Sequence, residues 1–409
     1  MSERGGRRRE RSIALSRYRS FISEWDAFTA AAARPEPSVL RVRKGRIEED
    51  ELRARLERQG FRLSSIEGLP GFHRVDEEPF PVSATLEHWD GLIYLQQAST
   101  GVAAPELGAA PGERALDLCS APGGKTTHLA ELMDERGCLV ASEIDERRIR
   151  GLLGNVYRLC HTSIVTVACD GRDFPEGPLF DRVLVDAPCS GEGTLRRRSG
   201  DVPNQSASFL GYVRGVQRAL LEKAVRLCRP GGTILYVTCT FSPEENEAVV
   251  SDVLASGAVE LDPLRLDVPH APGLTSFEGA RYDERLEGAA RIYPHHLDSG
   301  GLFLARLRRL ERELPEADRA RSVSPPPGHR GWSAVPASFP DGSLAEGEGP
   351  ALVDRVLAEL AERYGIPATV LDEWRWIVRG GRIWTHTLDA WPIESWAEGS
   401  WRPISVGLR

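Results

Sequence analysis

The sequence predicts an α/β fold: a doubly wound, Rossmann-like parallel sheet with a small N-terminal α/β domain and a small C-terminal α+β domain. Three observations carry this. From about residue 112 the chain alternates apolar strand-like runs with helical segments, the rhythm of a parallel sheet covered on both faces. The run FDRVLVDAP is apolar almost throughout, as a strand buried on both sides requires. At 409 residues the chain is also too long for one ordinary domain.

Taken in order, residues 1–20 are an Arg-rich tail, MSERGGRRRERSIALSRYRS, followed by no apolar signal-peptide stretch. A solvated tail and an arm that touches phosphate both remain open. Residues 21–100 mix patterns. SVLRVRKG reads as a short strand ending at Gly45, and IEEDELRARLERQGF as a helix with Leu52, Leu56 and Phe61 on one face and Gly60 as its C-cap. Residues 101–310 form the main domain: strand ERALDLCSA, helix KTTHLAELMDER, strand CLVASEID, helix ERRIRGLLGNVYRLC, strands SIVTVACD and FDRVLVDAP, the long helix FLGYVRGVQRALLEKAVRLC capped by RPGG, and strand TILYVTCTF. GGLFLARLRRL (300–310) reads as a closing antiparallel strand at the sheet's end. Residues 311–350 are rich in Pro, Gly and Ser without periodicity and read as a linker. In 351–409, ALVDRVLAELAERYG is an amphipathic helix and WRWIVRGGRIWTH a strand, a Gly-Gly turn and a strand; Trp374, Trp376, Trp384, Trp391, Trp396 and Trp401 fall here.

Composition narrows the classes. With 41% hydrophobic and 27% charged residues the chain is ordinary globular protein, and no run approaches the ~18 apolar residues of a membrane helix. A net charge of −8 does not advertise a nucleic-acid binder, although a local basic stripe suffices for phosphate contact. Only Lys44, Lys125 and Lys223 are lysines among 52 basic residues, so Lys125 stands out in a chain that otherwise uses arginine. The seven cysteines are odd in number and show no metal-type spacing, which points to free thiols in a reducing cytoplasm and to no metal.

The stretch DLCSAPGGKTTH (117–128) superficially matches a phosphate-binding loop. The pattern G-x-x-x-x-G-K-[ST] would need glycine where Cys119 stands, and Pro122 lacks an N–H that a phosphate cradle uses. A nucleoside cofactor at the switch point of the sheet fits better. Glu143, at the end of the second strand, is placed to take ribose hydroxyls, and Asp170, after the third, to address a base. With no G-x-G-x-x-G for a pyrophosphate, S-adenosyl-L-methionine fits better than a dinucleotide.

Strand four ends in DAPCSGEG and strand five in YVTCTFSPEENE. Neighbouring strand ends face one crevice, so Cys189 and Cys239 converge beside the cofactor and become candidates for covalent chemistry. Methylation of a pyrimidine at carbon 5 needs such chemistry. A thiolate added at carbon 6 makes carbon 5 nucleophilic, an acid such as Asp186 stabilises the developing charge, Lys125 can lower a thiol pKa, and a second cysteine can assist release.

These residues resemble a known family. DLCSAPGGKT, ASEIDERRIRGLLGNVYRL, DAPCSGEGT and RPGGTILYVTCTFSPEENEAVV are similar to segments of the RNA cytosine-5 methyltransferases of the Sun/Nop type, as are YLQQAS (94–99) and RIYPHHLDSGGLFLARLRR (291–309). The pairing of Pro188-Cys189 with Thr238-Cys239 is specific to it, because DNA cytosine methyltransferases use only the first cysteine position as nucleophile. The resemblance covers about residues 70–310. It implies Cys239 as nucleophile, Cys189 as the release cysteine, and Asp186 and Lys125 as helpers. Around S-adenosyl-L-methionine it implies Cys119, Ser120, Ala121, Pro122, Gly123, Gly124, Lys125, Glu143, Arg148, Asp170 and Asp186.

The plan is most similar to the bacterial F-type branch that methylates 16S ribosomal RNA, which implies that RNA or the small ribosomal subunit as partner, a monomer, and no membrane. The chain departs from that branch at SWRPISVGLR, where a lysine- and tyrosine-rich run is usual, and mildly at Ser120, where alanine is common. Arg196, Arg197 and Arg198 form a basic run at the expected mouth of the crevice and are candidates for phosphate contact, with a solvated charge run as the other reading. RNA contact is expected of residues 21–100, and the aromatic residues of 351–409 are candidates for base stacking. Transfer RNA as the substrate, and a non-catalytic RNA-binding assembly factor on the same fold, are the competing readings.

Overall fold

The computed structural model describes residues 15–175, 180–197, 206–312, 349–372, 374–379, 382–387 and 403–408. Arg198, most of the 311–350 linker, the Gly-Gly turn, Trp391, Trp396 and Trp401 lie outside the described residues. Strands β1 (Val39–Val42), β2 (Arg62–Ser65), β3 (Phe72–Glu77) and β4 (Ile93–Leu95) form an antiparallel sheet in the order β2-β3-β1-β4. The helix Glu49–Glu57 covers it with Leu52 and Leu56, which pack with Phe61 as their spacing predicts. Gly60 follows that helix at φ 90°, a backbone shape that glycine takes freely.

The central sheet has β5 (Arg114–Asp117), β6 (Cys138–Glu143), β7 (Ile164–Ala168), β8 (Phe180–Asp186) and β9 (Cys228–Thr238) as its parallel core, in the order β7-β6-β5-β8-β9. Winding reverses between β5 and β8, and the crevice such a reversal opens lies at the carboxyl ends of the strands. Both faces are covered. The helices Gly124–Leu132 and Glu146–Arg158 contribute Leu129, Leu152 and Val156 to one core. The helices Ala207–Leu227 and Glu247–Leu254 contribute Val213, Leu221 and Val250 to the other.

Beyond β9 the sheet continues further than expected. Strand β10 (Val259–Leu261), the short β11 (Ala271–Pro272), the small hairpin β12 (Ser276–Phe277) and β13 (Ala280–Arg281), and β14 (Ala290–Ile292) precede β15 (Leu302–Arg309). Strand β15 is antiparallel to β9, as predicted, but it is not the end of the sheet: β14 and β10 pair along its other side. The extra strands come from a stretch of mixed pattern in which strands of two or three residues leave little periodicity to read. Strands β16 (Trp374–Arg379) and β17 (Arg382–Thr387) make the predicted hairpin. Strand β18 (Pro403–Val406) returns to the central sheet and pairs antiparallel with β7.

Two buried arginines tie the N-terminal sheet to the central domain. Arg41 of β1 donates to Gly124 O at 3.0 Å, Thr127 Oγ1 at 2.9 Å and Glu131 Oε1 at 2.8 Å, gripping the helix that starts at Gly124. Arg43 donates to Glu135 at 2.8 Å. Glu135 also accepts from Thr162 N–H, Ser163 N–H and Ser163 Oγ, and meets His161 Nδ1. Burial works to raise its pKa, but His161, Arg43 and Ser163 outweigh it and bring it down to about 2 from 4.5. The stabilisation from this carboxylate is therefore complete above about pH 4.5 and is lost as pH falls through about 2. In full it is on the order of 3 kcal/mol. Glu135→Gln is expected to lower unfolding free energy at pH 7 by about that much. It should also flatten the acid limb of stability, read by urea unfolding across pH.

Candidate active site

The carboxyl ends of the parallel strands carry Asp117, Glu143 and Asp186 as their last residues, with Asp170 just beyond β7. Asp117 is turned inward. It accepts from Thr126 Oγ1 at 2.7 Å and Cys119 N–H at 3.3 Å, and burial pushes its pKa up to about 7. It braces the turn rather than facing the crevice. Ser120 Oγ donates to Ser142 O at 2.9 Å, and Ala121 N–H to Glu143 Oε2 at 3.3 Å. Gly123 has φ 106°, and a Cβ there would lie 2.9 Å from Leu152, so both backbone and space require glycine. Pro122 leaves the turn without one N–H, and Lys125 Nζ pairs with Asp186 Oδ2 at 2.7 Å.

Beside the turn a cleft is lined by Leu118, Cys119, Glu143, Ile144, Asp170 and Pro188, with Val216 and Leu220 of the long helix behind. The two carboxylates, each paired with an arginine of the same lining (Arg148 and Arg172), lie between apolar walls, which suits a nucleoside, whose hydroxyls and amino group are donors. Arg148 Nη1 lies 3.2 Å from Glu143 Oε2 and the same side chain donates to Ala121 O, so it closes the turn over Glu143. Asp170 is gripped by Arg172, with Nη2 2.6 Å from Oδ2 and Nε 3.0 Å from Oδ1.

The two cysteines meet. Strands β8 and β9 are paired in parallel up to Asp186↔Val237, so the loops that leave them run side by side. Cys189 Sγ and Cys239 Sγ are 3.3 Å apart, and all seven cysteines of the chain are free thiols. The pair is electrostatically unequal. A hydrogen bond from Cys189 lowers the Cys239 pKa, burial and Asp186 oppose it, and the Lys125 charge adds to the lowering; the net shift is downward. The Cys189 thiol is held well above its usual value, first by donating to Cys239, then by burial and by Glu245. Burial acts to lower the Lys125 pKa, but contact with Asp186 overcomes it and the ammonium is retained. The surroundings thus favour the anion on Cys239 over Cys189.

A buried brace behind the thiols went unread in the sequence. Glu245 Oε2 accepts from Ser190 N–H at 2.9 Å and Gln217 Nε2 at 3.0 Å. Asn246 accepts from Thr238 Oγ1 at 2.5 Å and donates to Thr240 O at 3.0 Å. Glu247 pairs with Arg291, which donates to Phe241 O at 2.9 Å. Successive residues of EENE therefore hold the loop on both sides of Cys239. On the other side Glu192 accepts from Thr240 Oγ1, Phe241 N–H and Tyr18 Oη. Gly193 N–H donates to Cys239 O at 2.7 Å, an approach that a Cβ would block, since it would lie 2.7 Å from that oxygen. The acidic run itself, sitting next to a strand end, was the available signal.

The basic run resolves unevenly. The phosphate contact expected of Arg196 is not open to it: its side chain is 2% exposed and donates to Arg34 O, Pro35 O, Ser299 O and Asp298. Arg197 is half exposed but paired with Glu36 at 2.8 Å. Of the tryptophans, Trp384 is buried in the core and Trp376 Nε1 donates to Leu371 O, so packing accounts for both.

A family model described as 16S rRNA methyltransferase RsmB/F matches residues 105–308. Over 315 residues the chain is 35% identical to the ribosomal RNA small subunit methyltransferase F of Erwinia tasmaniensis, which takes in 74% of this chain and 64% of that protein. It is 32% identical over 317 residues to the 28S rRNA (cytosine-C(5))-methyltransferase of Mus musculus, with 75% and 39% covered. The chain thus spans less than two thirds of the length of these curated relatives. Among solved structures, a methyltransferase homolog protein from Pyrococcus horikoshii superposes with a TM-score of 0.66 at 32% identity, over 74% of this chain and 98% of that one.

Proposed function

Because the chain belongs to the RsmB/F family of methyltransferases, we propose that it transfers a methyl group from S-adenosyl-L-methionine to carbon 5 of a cytosine in RNA, with 16S ribosomal RNA as the substrate. The observation that carries this reading is the thiol pair, 3.3 Å apart, beside the Lys125–Asp186 ion pair. A thiol whose surroundings favour the anion, a second thiol beside it and a retained ammonium–carboxylate pair are the groups that covalent activation of a pyrimidine uses.

The cofactor is placed in the cleft beside the Cys119–Lys125 turn, with Glu143 for ribose hydroxyls, Asp170 for the base, Arg148 closing over Glu143, and Asp186 at the reactive end; the lining residues support this. When bound, the cofactor supplies an electrophilic methyl group. The chain's residues do the rest. The Cys239 thiolate forms a bond to carbon 6 of the cytosine, and Asp186 with Lys125 engages the polar edge of the ring where negative charge accumulates. Carbon 5 then carries the electron pair that takes the methyl. A solvent base takes the carbon-5 proton as that C–H bond breaks, the electron pair expels the Cys239 sulfur from carbon 6, and Cys189 assists by sharing its proton with the departing sulfur. To reach these sulfurs a base in a structured RNA must leave its stack.

RNA contact beyond the crevice rests on residues 21–100, on Arg197 and on residues 351–409, each an extension of the same reading. The test is incubation of the full chain with tritiated S-adenosyl-L-methionine and either 16S ribosomal RNA or transfer RNA, followed by bisulfite sequencing. Label in 16S RNA at bisulfite-protected cytosines is expected. Preference for transfer RNA would move the substrate, and label in neither would remove the reading.

A further inference from the structure

The residues that follow the two cysteines are bonded to one another. Ser190 Oγ and Thr240 Oγ1 lie 2.8 Å apart, each one step along from a sulfur. Ser190 is held from behind by Glu245 Oε2, which takes its N–H at 2.9 Å; the Thr240 hydroxyl proton goes to Glu192 Oε2 at 3.0 Å, with Glu245 Oε1 3.4 Å away, so Ser190 Oγ is the donor to Thr240. Gln217 locks the Glu245 carboxyl from the third side, donating to it at 3.0 Å and to Pro188 O at 2.9 Å. Ser190, Thr240, Gln217 and Glu245 are all buried, the last three at 1% exposure or less. No water competes for these bonds, so each is worth more than a surface contact and costs more to leave unmade.

The arrangement spans two loops that share no backbone pairing at this point except Gly193 with Cys239 and, through Glu192, Phe241. Strand register brings the loops together but does not set where two side chains on their tips stop. The Ser190–Thr240 hydrogen bond, with Ser190 fixed on Glu245, does. We infer that Glu245 is a positioning residue for the thiol pair: by holding Ser190 against Thr240 it sets the separation at which Cys189 can serve an adduct on Cys239. The last clause rests on the functional reading above; the first rests on the geometry alone. Burial pushes the Glu245 pKa up to about 7 against the hydrogen bonds from Ser190 and Gln217, consistent with a carboxyl kept in place for its contacts and without a cation partner.

The test separates position from chemistry. Purified full chain and its Glu245→Ala, Glu245→Gln and Thr240→Val variants are treated with dibromobimane, a short bis-electrophile that bridges only neighbouring thiols, and Cys189–Cys239 bridging is timed by mass spectrometry. Melting temperatures establish that the variants compared are folded; Thr240→Val, which loses only a hydroxyl, and the isosteric Glu245→Gln cover the case in which Glu245→Ala does not fold. Bridging is expected to slow roughly tenfold in Glu245→Ala and Thr240→Val, the loss of about one buried hydrogen bond, with Glu245→Gln between them and wild type. In the RNA assay the same variants should form the covalent complex readily and release it slowly, so that complex accumulates as turnover falls. Wild-type bridging rates in every folded variant would overturn the proposal, as would complex formation and release falling by one common factor. A wild-type protein that bridges its thiols through this junction yet methylates no RNA would leave the junction standing and remove the functional reading instead.

Discussion

Cys239→Ala is expected to abolish methyl transfer, lowering the single-turnover rate by roughly 10⁴-fold or more, the scale on which deleting a covalent nucleophile acts. The reasoning is local. Cytosine carbon 5 does not attack a sulfonium methyl unaided, and Cys239 is the thiol whose surroundings favour the anion: Cys189 donates to it and Lys125 lies near, against burial and Asp186. Binding of RNA and cofactor should survive, because the substitution removes one sulfur from a crevice whose walls are set elsewhere. In the wild type, activity should rise with pH through the Cys239 pKa, since only the deprotonated sulfur adds; that pKa lies below the usual thiol value, so the acid limb should fall below it too. Rapid-quench measurement of labelled methyl in RNA across pH tests both parts. Substantial transfer by Cys239→Ala would require a different nucleophile.

Cys189→Ala is expected to do something qualitatively different. Addition by Cys239 and methyl transfer should still occur, and the protein should then remain bonded to its RNA. Release breaks the C–S bond, and Cys189 is the proton donor 3.3 Å from the departing sulfur. Losing a positioned acid–base group slows a step by roughly 10²–10⁴-fold, so turnover should stop near one methyl per enzyme. The measurement is a denaturing gel, on which a protein–RNA band should appear for Cys189→Ala, be absent for Cys239→Ala, and be absent for the double variant. A band that persists in the double variant would place the bond on another residue.

Much of this site was legible in the chain because its parts stand at the ends of strands that are themselves easy to read. The runs RALD, CLVASE, IVTVA, FDRVLVD and TILYVT have apolar centres, so their carboxyl ends, and therefore Glu143, Asp170, Asp186, Cys189 and Cys239, could be placed around one crevice from pattern alone. Lys125 was visible as a lysine in an arginine chain. What escaped was whatever depends on distant partners. Arg196 looks like one arginine of a solvated run, and only the carbonyls of Arg34, Pro35 and Ser299 make it internal. Glu245 and Glu247 look like surface acids, and only Ser190, Gln217 and Arg291 make them buried. Tyr18 lies in a stretch that reads as a basic tail, yet it is fully buried and donates to Glu192. Sequence pattern encodes which face of an element is apolar; it does not encode which polar group on another element will satisfy a buried carboxylate.

The return of β18 to the central sheet has a consequence of another kind. It lies along the outer side of β7, with Pro403 opposite Val167 and Val406 opposite Val165. Strand β7 reads IVTVA, β-branched and without a charge, the composition most inclined to recruit a strand from another molecule when its edge is bare. On the covering strand, proline stands at the first position, where it has no N–H to offer a further partner. The chain's own last described strand thus covers an edge that would otherwise be open to a strand from a second copy.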